Sequence, residues 1–307
     1  MEISESNDNH QLNTLENKNS QILIEDNLLK SVDMSDVVKT KQNFNLQESL
    51  KKAINITNPL VKEFMAESFG TMIFIFIGCS GVAQFKLNNK QDSNLNNLLS
   101  VNIGFGFGVL MAILLVGTIS GAHLNPAVSF SLSLTGKMTW RKFFIYSLAQ
   151  TLGAFLGATL VFLVYLDGLK SFGEEMYSLN TAGIFATYPN EVLGVFGGFL
   201  DQVLGTAVLI MVILAISDKK NNDISKEISA ILIAFLVIVI GCSLGFNCGY
   251  AINPARDFGP RLFTFFAGWG SQVFEAGNGF FWIPIIGPLV GSFIGTLFYL
   301  IIVSNNL

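Results

Sequence analysis

Two stretches of this chain, SGAHLNPAVSF at residues 120–130 and GYAINPARDFGPRLF at 249–263, each place an amide and a proline within apolar sequence. Asn is a good helix N-cap, and Pro suits the first helical position, where its missing N–H costs nothing. Asn125-Pro126-Ala127 and Asn253-Pro254-Ala255 therefore read as two helix starts. Each start leaves backbone N–H groups unpaired and carries about half a positive charge. The chemistry is recognition without bond breaking. Two amides and two helix N-termini brought together can donate hydrogen bonds to an oxygen passing between them. A neutral hydroxylated molecule gains replacement hydrogen bonds there, whereas a cation meets a positive potential. Arg256 adds a permanent positive charge beside the second motif. Other chemistries lack material. The chain has 2 His, and Cys79, Cys242 and Cys248 lack metal-ligand spacing and read as reduced structural thiols in apolar surroundings. No catalytic constellation and no cofactor or metal motif is present. The GFGFG run at 104–108 follows no soluble strand and is not a phosphate loop.

The elements that must position these residues follow from composition. The chain is 51% hydrophobic and only 13% charged, where soluble domains carry about a quarter charged residues, so it reads as a membrane protein. Its net charge of -4 is small and spread out, which excludes a nucleic-acid surface. Segments of about 20 apolar residues, long enough to cross a hydrocarbon core of ~30 Å, fall at roughly 63–85, 98–119, 141–166, 197–216, 228–247 and 281–303. Two further apolar stretches, 125–135 and 253–266, are too short to cross, and each begins at an Asn-Pro. Residues 63–166 and 197–303 form matching repeats, with Glu67-Ser-Phe-Gly-Thr opening one and Gln202-Val-Leu-Gly-Thr the other. An odd number of spans per repeat inverts the second, which places a permeation site at the midplane. The chains leading into the two motifs, 121–124 and 249–252, are then irregular. Such backbone is tolerated at membrane depth only where it lines a cavity or is buried in protein. Glu67 and Gln202 are expected to brace it, with His123 supporting the first loop, and Asp257 and Arg261 are expected to brace the second half-helix. Gly153, Gly157, Gly287, Gly291 and Gly295 recur at helical spacing and suit close helix packing. Lys51, Lys52, Lys62, Lys137, Arg141, Lys142, Lys219, Lys220 and Lys226 fall on one side and only Lys86, Lys90 and Lys170 on the other, which places both termini in the cytoplasm. Residues 1–58 are polar and read as a disordered cytoplasmic tail with a short amphipathic helix near 46–54, preceding a channel domain over 59–307.

Over residues 63–303 the chain resembles the major intrinsic proteins, the aquaporins. SGAHLNPAV and GYAINPARDFGPRLF are close to that family's patterns, and Asp257 after Arg256 resembles its glycerol-conducting branch. The segments FATYPN and AGWGSQVFEAGNGFFWIP resemble that branch too, as does Asp201-Gln202. The resemblance implies an all-α fold of six transmembrane helices and two re-entrant half-helices arranged as an inverted repeat. It implies a second constriction, a selectivity filter of Phe105, Gly241, Tyr250 and Arg256. Gly241 in place of the His of water-selective relatives is expected to leave room, with the two rings facing a polyol's CH groups and Arg256 its hydroxyls. The expected activity is passive conduction of glycerol, other small neutral solutes and water, excluding ions and protons, with no enzymatic function. A water-selective pore is the alternative. The resemblance also implies a homotetramer in a lipid bilayer, at the plasma membrane. An ion-coupled transporter would need a titratable group at the midplane, for which Glu67 is the main candidate.

Overall fold

The computed structural model describes residues 45–88 and 97–307, in two units, Met1–Asn55 and Ile56–Leu307. In the first unit the described element is α1 (Leu46–Ala53), at the position of the expected short helix. Asn45 caps it, accepting from the backbone N–H groups of Gln47 and Glu48 at 3.0 and 3.3 Å. Glu48 in its first turn and Lys51 and Lys52 in its last complement the helix dipole. The expectation of disorder over 1–44, and the loop position of Lys90, fall outside the described residues.

The second unit is all-α among the described residues, and 6 of its helices are long and apolar enough to cross a membrane. In chain order the spanning helices and the two half-helices are α2 (Pro59–Asn88), α3 (Leu98–Ser120), α4 (Pro126–Leu134), α5 (Trp140–Val164) and α6 (Val195–Ser217), with short helical turns in the connections. They continue as α7 (Lys226–Cys248), α8 (Pro254–Thr264) and α9 (Ile283–Phe298), which runs on through a wider turn at Tyr299–Val303. With 9 and 11 residues, α4 and α8 reach only about half of a hydrocarbon core at 1.5 Å per residue.

Local chemistry sets the ends. Asn97 and Ser100 form a reciprocal capping box on α3, and Ser225 caps α7 through the Ile228 N–H at 3.4 Å. Helix α2 begins at Pro59, four residues before the hydropathic run, because Asn58 caps it through the Leu60 N–H at 2.9 Å. Before α9 the chain breaks at Gly277, Asn278 and Gly279, with φ of 62°, 57° and 77°. Large apolar side chains such as Leu114, Phe144, Phe235 and Phe293 point outward, a surface that only lipid or another apolar face satisfies. The chain is a multi-pass integral membrane protein.

The two repeats pack alike. On α5, Gly153 and Gly157 meet the carbonyls of Ser68 and Met72 so closely that a Cβ would collide with them. On α9, Gly291 and Gly295 meet the carbonyls of Val203 and Ala207 in the same way. The half-helix α4 is tied to α9 by Ser292 Oγ donating to the Ala127 carbonyl at 2.7 Å and by the Ser131–Thr296 hydroxyl pair at 2.7 Å.

Candidate permeation site

The loops that carry α3 into α4 and α7 into α8 share one conformation. Gly121, Ala122 and Leu124 have φ of 90°, 49° and 56°, and Gly249, Tyr250 and Ile252 have φ of 71°, 37° and 39°. Left-handed backbone at a residue bearing a Cβ costs on the order of 1–3 kcal/mol, so each loop needs outside support. In the first, Glu67 supplies it. Its Oε1 accepts from the His123 N–H at 2.9 Å and Ser120 Oγ at 2.6 Å, and its Oε2 from the Leu124 N–H at 2.9 Å and Gln150 Nε2 at 2.8 Å. In the second, Gln202 Oε1 accepts from the Ile252 N–H at 2.8 Å. The Gln202 amide is oriented by Asp201, which accepts from its Nε2 at 3.1 Å. Cys248 Sγ, expected in apolar surroundings, instead donates to Asp201 Oδ2 at 3.3 Å, while Cys242 is exposed. Only the Cys248 expectation is corrected, since hydropathy around a cysteine does not report which face of its helix it occupies.

Between the loops the half-helices meet N-terminus to N-terminus. Asn125 Oδ1 caps its own helix at the Ala127 N–H (2.8 Å), and Asn253 Oδ1 does so at Ala255 and Arg256 (3.0 and 3.2 Å). Asn125 Nδ2 then donates across the junction to the Ile252 carbonyl at 2.9 Å, and Asn253 Nδ2 to the Leu124 carbonyl at 2.8 Å. A primary amide has two N–H donors, so each Asn keeps one for the lumen. Pro126, Ala127, Pro254 and Ala255 are buried, the two alanines completely, which keeps the junction tight.

Two cavities open along this axis. One, of about 190 Å³, is lined by apolar residues including Phe74, Val109, Ile113 and Leu209 and by the loops with Asn125 and Asn253. The second, of about 290 Å³, lies beside the 186–190 segment. Phe105, Tyr250 and Arg256 line both, so the cavities meet at these three side chains. The Phe105 and Tyr250 rings stand edge to face at 6.2 Å, and the Arg256 guanidinium lies 4.5 Å from the Phe105 ring centre. Arg256 Nη1 also donates to the Phe185 carbonyl at 2.8 Å. Among the described residues no carboxylate pairs with it, because the neighbouring Asp257 turns away to Arg261 Nε at 2.8 Å and to the Thr187 N–H at 2.8 Å.

Gly241 lines the second cavity, but the space beside it is taken. A Cβ there would sit 2.7 Å from both Tyr250 Cζ and Asn102 Oδ1. The glycine thus makes room for a tyrosine ring and an amide in the wall of the second cavity. His123 lines the first cavity, its Nδ1 3.0 Å from Ser129 Oγ and its ring 5.0 Å from that of Tyr146. Glu67, Gln202 and Asp257 line neither cavity and act on the loops from behind. Sequence reasoning missed Asn102, Gln150 and Thr187, and also Gly78, against which the Phe105 ring lies. For the 185–187 contacts the FATYPN segment was a usable signal, since two of its residues hold Arg256 and Asp257.

Two half-helices meeting inside a six-span bundle, with two cavities that share Phe105, Tyr250 and Arg256 in their walls, define a membrane channel. The chain belongs to the major intrinsic protein family, whose profile matches residues 55–299. It is 43% identical to Aquaporin-9 of Rattus norvegicus over 264 residues, covering 85% of this chain and 88% of that protein. It is 45% identical to human Aquaporin-9 (84% and 88% covered) and 44% identical to Aquaporin-7 of Mus musculus (78% and 80%). Among solved structures, the aquaglyceroporin from Plasmodium falciparum matches with a TM-score of 0.74 at 30% identity, covering 80% of this chain and 98% of that one.

Proposed function

We propose that this protein is a passive channel for glycerol, other small neutral solutes and water, and that it excludes ions and protons. The observation that carries the reading is a lumen lined by apolar side chains together with loop residues and two asparagine amides, whose two cavities share Phe105, Tyr250 and Arg256. A polyol has a carbon edge and a hydroxyl edge, and each finds a matching wall. The unpaired Arg256 charge and the two converging helix N-termini oppose cations in a space of low dielectric. In this reading residues 59–307 form the conducting domain and residues 1–58 a cytoplasmic tail. Both termini are cytoplasmic, and the protein works as a homotetramer in the plasma membrane. The name of the structurally similar aquaglyceroporin from Plasmodium falciparum supports glycerol as a permeant.

The test is light scattering of proteoliposomes given a glycerol gradient, beside a sucrose gradient and empty vesicles. Rapid reswelling in glycerol, abolished by Gly241→Trp in protein that stays monodisperse, is the expected result. Fast water loss in sucrose with no reswelling in glycerol assigns a water-selective pore instead.

A further inference from the structure

Asn102 stands on α3 one turn before Phe105 and is 4% exposed. It lines the second cavity with Gly241, Tyr250 and Arg256, and its Oδ1 reaches to 2.7 Å from the point a Gly241 Cβ would occupy. Its amide is therefore at the level of the constriction. Among the described residues its only side-chain hydrogen bond runs from Nδ2 to Cys242 Sγ at 3.5 Å, and Oδ1 accepts none. Sulfur is a weak acceptor, so this buried amide is nearly unspent. In a dry core that would be a defect, because a buried polar group without a partner is destabilising. In a cavity wall it is a free acceptor.

The neighbouring groups define what it can accept from. Arg256 is a donor only, and its contacts with the Phe185 carbonyl and the face of Phe105 hold it in place without neutralising it. A hydroxyl is both donor and acceptor. One that accepts from Arg256 must still place its own proton, and a neighbouring hydroxyl on the same solute needs an acceptor of its own. We infer that Asn102 Oδ1 is that acceptor, making a hydroxyl-binding subsite for vicinal diols at the entrance to the constriction from the second cavity. Water makes the same bond but needs it less, since it carries its own partners in single file. The inference rests on the reading of Phe105, Tyr250 and Arg256 as the constriction of a polyol pore.

The experiment compares Asn102→Leu, which keeps the volume and removes the acceptor, with Asn102→Asp, which keeps the acceptor. Glycerol and water permeabilities are measured on the same proteoliposomes, with Gly241→Trp as the blocked control. Losing one hydrogen bond in the passage predicts that Asn102→Leu lowers glycerol permeability at least about fivefold and water by less than about twofold, with Asn102→Asp retaining most glycerol flux. Unchanged glycerol flux in Asn102→Leu, or an equal fall for both permeants, overturns the subsite. Should Asn102→Leu fail to fold, Asn102→Thr, whose hydroxyl is too short to reach the same point, is read by the same ratio. If Gly241→Trp fails to block, it is the constriction reading that falls, whatever Asn102 does.

Discussion

At Gly78 a hydrogen stands where any other residue would drive a carbon into the Phe105 ring, colliding with its Cδ1 and Cε1 and lying 2.9 Å from its Cγ. The ring therefore rests on the α2 backbone and is steadied by Phe74 at 5.9 Å and Tyr250 at 6.2 Å. Gly78→Ala should push it toward the lumen. Glycerol permeability is expected to fall about fivefold or more and water permeability less, with an overpacking cost of about 1–3 kcal/mol visible as a lower thermal midpoint. Equal glycerol flux in variant and parent would show that the ring has another place to go. Residues at this scale were unequally legible. Asn125 and Asn253 announce themselves by standing before a proline in membrane-length apolar sequence, and Arg256 by its charge there. Phe105, Gly241 and Tyr250 came only through resemblance, since nothing marks one Phe among 28. Gly78 and Asn102 gave no signal, because what they do depends on the side chains opposite them, which helical periodicity does not encode.

Among the elements, the two re-entrant loops solve one problem with different chemistry. Glu67 offers two oxygens to four donors, two of them the N–H groups of His123 and Leu124. Glu67→Gln replaces one oxygen by an amide nitrogen and so sets donor against donor. Gln202 needs its oxygen for Ile252 and its nitrogen for Asp201 and Cys248. Gln202→Glu sets a carboxylate against the buried Asp201. Each exchange is expected to cost about 1–3 kcal/mol and to lower the water and glycerol permeabilities together, because both loops shape the whole lumen. Thermal midpoints in detergent and paired permeability measurements check this. A change in solute ratio without loss of stability would place these residues in the lumen instead. The exchange of Glu for Gln between repeats was visible in the sequence, as were the six spans. The start of α2 and the break at 277–279 were not, because capping and left-handed turns leave hydropathy almost unchanged.

For the whole molecule the deciding feature is the reciprocity of the junction. Asn125 reaches the Ile252 carbonyl and Asn253 the Leu124 carbonyl, so each half of the chain completes the other. Such cross-bonds tie the repeats together at the point where an alternating-access transporter must let them part. Among the described residues neither cavity is lined by a carboxylate, and Glu67, the best-placed acid for coupling, has both oxygens occupied by loop donors. His123 faces the first cavity, but its backbone N–H is held by Glu67 and its ring by Ser129. With the repeats cross-bonded at the junction and no group of metal-binding side chains among the described residues, flux is expected to follow the solute's own gradient. Glycerol entry into proteoliposomes should therefore rise linearly with concentration. It should be unaffected by a protonophore or by exchanging sodium for potassium, and should reach equal concentrations inside and out. Accumulation of glycerol above the outside concentration under an imposed pH difference would reject this account and return Glu67 and His123 to consideration as coupling groups.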